Sequence, residues 1–266
     1  MDLWMKRDDL IHPVVSGNKW RKLKGFFSAL EPSDQILTFG GAHSNHLLAA
    51  ACAANIAGVQ ITGVVRGEEL NPNSNPVLSY CHEQGMKLIF VTRQEYREYR
   101  ELNFRLPESL LDQWNALKAH ILPEGGAGAQ AMEGCGDIWH ELPWEPDHFV
   151  LASGTATTVL GILSAMPPSC ATQVHVVSAV KGAKREQRLV EQLAQEKQIQ
   201  LFWEEDFTFG GFGHGHKELR IPAESFKKET GISLDLNYNA KVWTYLKSRS
   251  LSGRVLWLHT GGTALL

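Results

Sequence analysis

The four cysteines of this 266-residue chain, at 52, 81, 135 and 170, form no CxxC pair and follow no regular spacing. A disulfide framework and a zinc knuckle are thereby excluded. An excess of one charge is missing too. The net charge is −3 with histidine neutral, which argues against nucleic acid or an anionic membrane as the main partner. The longest apolar run, LLAAACAANIAGV (47–59), contains Asn55 and is too short to span a bilayer. The opening MDLWMKRDDL is too charged for a signal peptide. No internal repeat, low-complexity tract or polar linker occurs, and no GxxxxGKS/T phosphate loop. His214-Gly215-His216 has no third ligand at telling spacing, so no metal site is expected. These absences point to a cytoplasmic protein from a reducing compartment, without membrane or nucleic-acid partners.

What is present is glycine, 24 residues of it, and a 43% hydrophobic content. That is enough for one large domain or two interleaved smaller ones. Short apolar runs alternate with helix-like stretches. QILTFGG (35–41), a helix over 44–58 closed by Gly58, and QITGVV (60–65) make one βαβ unit. The rhythm then repeats: a helix over 75–85, a strand at 86–91, helical sequence over 93–117 broken at Pro107, and a strand at 120–126. A helix over 129–142, a strand at 147–154, a helix over 155–166, a strand at 173–180, and a helix and strand over 183–204 follow. Helices at 223–231 and 239–249 precede a final strand, RVLWLHTGG. This alternation predicts an α/β fold with parallel or mostly parallel sheets covered by helices on both faces.

Three places join a strand to a helix or loop through small polar residues: FGGAHSNH (39–46), LASGTATT (151–158) and LHTGG (258–262). Carboxyl ends of parallel strands are where open α/β sheets bind ligands, and helix amino termini there favour anions. The hydroxyls of Thr155, Thr157 and Thr158 exceed what one helix cap requires, and suit a phosphate. Ser44 reads equally as a cap or as part of a carboxylate cradle. Lys19, directly after Gly17-Asn18, reads either as a solvated lysine or as an amine that condenses with an aldehyde cofactor. A phosphate nest together with such an amine suggests pyridoxal 5′-phosphate.

KRDD…SGNKWRKLK resembles the signature of the 1-aminocyclopropane-1-carboxylate deaminase and D-cysteine desulfhydrase family, pyridoxal-phosphate enzymes of fold type II with the tryptophan synthase β architecture. GGAHSNH, LASGTATT, FGGFG, LDLNYNAK and LHTGG continue the likeness in order. The resemblance implies a two-domain enzyme, with residues 1–22 and 129–266 as the larger cofactor-binding domain and 23–128 as a smaller inserted one. It also implies a homodimer. Lys19 matches the lysine that bonds the cofactor, and Lys22 a second lysine near the phosphate. Ser44 matches a proton-moving serine. Ser44, Asn45 and His46 match the loop that holds the substrate carboxylate, and Asn45 an asparagine on the cofactor's ring hydroxyl. Thr155, Ala156, Thr157 and Thr158 match the phosphate loop, with Ala156 where glycine is common. Tyr238 matches a tyrosine facing the substrate, and Thr260 belongs with the cofactor-binding residues.

Two positions depart from the deaminase branch. Asn239 stands where that branch has glutamate beside the pyridine nitrogen, and a neutral amide supplies no counter-charge. Phe212 stands where it has a second tyrosine. The resemblance therefore favours β-elimination on a small, D-cysteine-like amino acid, giving a keto acid and ammonia. Ring opening of 1-aminocyclopropane-1-carboxylate and a weak or inactive cofactor-binding homologue are the alternatives. An unrelated nucleotide-binding enzyme lacks its fingerprints here. Family members extend further at both ends, so a lost segment is expected to weaken core or enzyme.

Overall fold

The computed structural model describes residues 2–214 and 216–262. β1 (Asp2–Arg7), α1 (Asn18–Ser28), β2 (Gln35–Gly41) and α2 (Asn45–Ala57) come first. β3 (Gln60–Arg66), α3 (Pro76–Glu83), β4 (Lys87–Val91), α4 (Arg93–Glu101), α5 (Glu108–Gln113) and β5 (His120–Leu122) follow. Next are α6 (Ala129–His140), β6 (His148–Ser153), α7 (Thr157–Ala165), β7 (Gln173–Ser178), α8 (Lys184–Glu196) and β8 (Leu201–Glu204). α9 (His216–Thr230), α10 (Asn239–Ser248) and β9 (Arg254–His259) are the last of the described elements. Contacts divide it into two compact units: residues 2–21 with 131–262, and residues 22–130.

The first unit is built on a five-stranded sheet of order β1-β9-β6-β7-β8, and all its pairs are parallel. Its central strands β9, β6 and β7 are apolar on both faces, as a sheet covered on both sides requires. Phe149, Leu151, Val174, Val176, Leu256 and Leu258 pack with Val159 and Ile162 of α7 and Val190 of α8. Val150, Ala152, Val177, Val255 and Trp257 pack on the other face with Phe226 of α9 and Val242 and Tyr245 of α10. The second unit carries a four-stranded sheet of order β4-β3-β2-β5, again all parallel. Leu37, Phe39 and Val64 meet Tyr96 and Tyr99 of α4 and Trp114 on one face. The predicted α/β class and parallel sheets are what the chain forms.

Three local readings change. The charged start of the chain is a strand: Asp2–Arg7 pairs in register with Arg254–His259. Its charges sit on an edge strand, where one side faces no neighbour, so hydropathy gives no signal. The basic stretch after Gly17, to which the sequence reading assigns no element, forms a helix, α1. α9 runs through Pro222 and begins at His216, one turn and more before the expected start. No helix among the described residues is long and apolar enough to cross a membrane.

Candidate active site

Lys19 lies in the first turn of α1, half-buried. That turn is held on several sides within the first unit. Gly17 has φ +61, and a Cβ there would stand 2.0 Å from the Thr260 carbonyl oxygen. Only glycine fits, because the turn lies directly on the backbone leaving β9. The Asn18 amide donates to the Thr260 carbonyl at 3.2 Å, and the Gly17 amide to the Asp8 carbonyl at 2.9 Å. Arg21 then ties α1 down by its side chain. Its Nε and Nη2 donate to the two Asp8 carboxylate oxygens at 3.1 and 3.0 Å, and Nη2 also reaches Glu141 Oε2 at 2.6 Å. The Arg21 and Lys6 cations hold Glu141 down to a pKa of about 2.

The threonine loop follows β6. Asn18 Nδ2 donates to Thr158 Oγ1 at 3.2 Å, which brings the lysine-bearing turn and this loop together. Helix α7 has no side-chain cap. Ala156 occupies its N-cap in the left-handed region, φ +60 and ψ −14, and has no side-chain oxygen to cap with. Thr155 and Thr157 hydroxyls lie 3.4 Å apart, and Thr157 and Thr158 are buried. The first turn of α7 has amides without helical acceptors. Ser153, at the carboxyl end of β6, is 4% exposed, and its Oγ has no hydrogen-bond partner among the described residues. It shares the strand face of Phe149 and Leu151, the face that packs on α7. A buried hydroxyl left over beside a helix amino terminus fits a phosphate.

On α10, Tyr238 stands at the N-cap. A Cβ on Gly154 would lie 3.1 Å from the Tyr238 hydroxyl, so that glycine admits the phenol against the start of the threonine loop. The Phe212 ring centroid is 5.8 Å from that of Tyr238. Asn239 is fully buried and its amide is committed. Nδ2 donates to Asp235 Oδ2 at 2.6 Å and to the Gly261 carbonyl at 3.0 Å, while Oδ1 accepts from the Thr260 amide at 3.4 Å. Lys19, Asn18, the threonine loop, Tyr238, Phe212, Asn239 and Thr260 thus belong to one unit.

Lys22, Ser44, Asn45 and His46 belong to the second unit. Ser44 is the N-cap of α2, its Oγ accepting from the Leu47 amide at 3.3 Å. Here capping is what the hydroxyl does. Asn45, half-buried, opens the helix. His46 is buried against the sheet, with Nε2 2.8 Å from Thr38 Oγ1. Thr38 gives its own proton to the Leu122 carbonyl at 2.9 Å, so His46 Nε2 is the donor. Lys22 is buried, with its Cβ 3.6 Å from where Gly126 would carry one.

Two residues inside LDLNYNAK escaped the sequence reading. Asp235 accepts the amides of Asn237, Tyr238 and Asn239 at 3.0, 2.7 and 3.1 Å, and so shapes the turn that presents Tyr238. Burial raises its pKa, opposed by the hydrogen bonds from Asn239. An aspartate three to four residues before a helix start was the available signal. Lys241 is fully buried, and burial brings its pKa down to about 8. Its position one turn from Tyr245 on the inner stripe of α10 was the clue. The HGH sequence cannot be placed as a group, since Gly215 and the His216 side chain lie outside the described residues. Among the described residues no three His, Cys, Asp or Glu side chains cluster as metal ligands.

The sequence profile of the family described as "Pyridoxal-phosphate dependent enzyme" matches residues 1–227. A protein of Pyrococcus abyssi (strain GE5 / Orsay), named provisionally as a 1-aminocyclopropane-1-carboxylate deaminase, is 30% identical over 284 residues, which cover 98% of this chain and 84% of that one. The mitochondrial bifunctional D-cysteine desulfhydrase/1-aminocyclopropane-1-carboxylate deaminase of Arabidopsis thaliana is 28% identical over 195 residues, 66% of this chain and 48% of that one. The crystal structure of an ACC deaminase homologue superposes with a TM-score of 0.76 at 22% identity, covering 98% of this chain and 85% of that one. The fold is shared with that structure, and the family profile extends over most of the chain. This protein belongs to the pyridoxal-phosphate dependent enzymes.

Proposed function

We propose that the chain is a lyase acting on a small amino acid, in the manner of a D-cysteine desulfhydrase, by β-elimination to a keto acid and ammonia. The observation that carries this reading is the bridge from Asn18 to Thr158. It joins the turn bearing Lys19 to a loop suited to phosphate within one unit. Bound pyridoxal phosphate supplies an electron sink for charge developed at the substrate's Cα. Lys19 Nζ would hold the cofactor covalently and, as a free amine, would serve as the base for the Cα proton. Ser44 Oγ is the other candidate for that proton. The 44–46 turn takes the substrate carboxylate, with Asn45 toward the ring hydroxyl. Lys22, Thr155, Ala156, Thr157, Thr158 and Thr260 hold the cofactor. Tyr238 orients the leaving group, and Phe212 lines the substrate side. The same reading makes residues 1–22 and 129–266 the cofactor-binding domain, 23–128 the inserted one, and the protein a cytoplasmic homodimer.

The relatives support both D-cysteine and 1-aminocyclopropane-1-carboxylate as substrates, since the Arabidopsis protein is named for both. Phe212 and the committed amide of Asn239 favour elimination over ring opening. The same two residues favour a second reading, a cofactor-binding homologue with little turnover. Borohydride reduction of the yellow protein is expected to fix the cofactor to Lys19, read by peptide mass. Label on another lysine would overturn the assignment. Keto-acid release from D-cysteine, and none from the cyclopropane amino acid, is the expected substrate profile. Release from no amino acid tried would leave the second reading standing.

A further inference from the structure

Lys241 has no role in the chemistry above, yet it is 0% exposed. Its Nζ donates to three backbone carbonyls: Ala179 at 3.0 Å, Thr208 at 2.7 Å and Gly211 at 2.9 Å. The charge of Asp235 favours the ammonium form of Lys241 against burial. Three donors on one ammonium match three acceptors, so the charge is solvated by the chain itself. One acceptor follows β7. The other two lie in the loop after β8, where Phe209, Gly210, Gly211 and Gly213 all take positive φ. A segment so bent has little repetitive hydrogen bonding of its own and requires external ties. Thr208, Gly211 and His214 N bond within the loop, to the Glu205, Thr208 and Gly211 carbonyls at 3.2, 2.9 and 3.3 Å, while Gly213 N reaches out of it to Asn237 Oδ1 at 3.0 Å.

The loop carries Phe212, 45% exposed, whose ring meets Tyr238. The Lys241 amide in turn donates to the Tyr238 carbonyl at 3.1 Å. One turn of α10 therefore presents Tyr238 and also grips the loop that lays Phe212 against it.

We propose that Lys241 is a positioning residue, a buried ammonium clamp that fixes the 208–213 loop and so sets the Phe212–Tyr238 wall that meets the substrate side chain. This rests on the function proposed above only in taking that wall to face the substrate. A purely stabilising lysine would lower the stability of the whole unit when removed. A clamp acts on one loop, and through it on substrate recognition. Methionine keeps the length of the side chain and leaves the carbonyls without a donor.

The test compares the cofactor-loaded wild type with K241M by hydrogen exchange and by D-cysteine kinetics. In K241M, exchange of amides 208–213 is expected to rise about tenfold with β6 and β7 unchanged. The KM for D-cysteine should rise about fivefold while kcat stays within about twofold. F212A should raise KM similarly, and the two changes together should fall short of additive. A folded K241M with unaltered loop exchange, or with kcat lowered and KM unmoved, overturns the clamp. Should K241M not fold, the wild type decides: slow exchange at Gly211 and Gly213 supports it, and unprotected amides there refute it. Failure of borohydride to label Lys19 in the wild type sinks the proposed function alone, and the clamp is then judged on loop exchange.

Discussion

Ala156 holds a left-handed conformation in which its Cβ crowds the following backbone. Replacing it with glycine is expected to stabilise the protein by about 1 kcal/mol, the strain an alanine carries there. Urea denaturation of A156G against wild type measures the gain. The sequence hinted at this position, since glycine is common there in the resembling family, but only the dihedral angle reveals the strain. Gly17 was legible in a similar way. A glycine directly before Asn-Lys signalled a special turn, and its contact with the Thr260 backbone supplies the reason. Asp235 and Lys241 were not legible as site residues. The partners of Lys241 are main-chain carbonyls of distant segments, which carry no sequence signal, and the only hint of Asp235 was its place two to four residues ahead of the amides it accepts.

Helix α1 depends on an ion cluster that reaches across the first unit from Asp8 to Glu141. Arg21 and Asp8 are both buried, and removing one partner leaves the other charge stranded. R21M should lose about 3 kcal/mol in chemical denaturation, and a second change, D8N, should restore part of it by removing the stranded carboxylate. A different chain of buried groups spans β6, β7 and α10. His148 Nδ1 is 2.9 Å from His175 Nε2, and His175 Nδ1 is 2.8 Å from the Tyr245 hydroxyl. Burial, aided by His148 and Arg249, lowers the His175 pKa from 6.5 to about 4. The unfolded chain thus binds a proton between those values that the folded one refuses. The histidine's contribution is complete above pH 6.5 and is lost as pH falls toward 4, on the order of 3 kcal/mol in all. Denaturation midpoints at pH 7.5 and 4.5 measure it, and H175Q should remove that share of the slope. Hydrophobic periodicity located β6, β7 and α10 because their apolar patterns are long. It missed β1, a charged edge strand, and the true start of α9, where Pro222 reads as a boundary although the helix passes through it.

The whole protein couples its folding to whatever its folded site binds. Pyridoxal phosphate at about 100 times its dissociation constant contributes about 2.7 kcal/mol, which for a protein of this size corresponds to a rise in Tm of about 5–10 °C. Calorimetry before and after reconstitution should show that rise in the wild type, and a much smaller one in K19A, as the proposed covalent bond to Lys19 requires. At this scale the α/β class was legible, because strand and helix patterns alternate throughout. No linker composition marks residues 21–22 or 130–131, where the two units divide. All four sulfhydryls lie inside the protein. A single change such as Ser225→Cys on an exposed turn of α9 therefore creates a handle for a maleimide dye or spin probe, with the native thiols left in place.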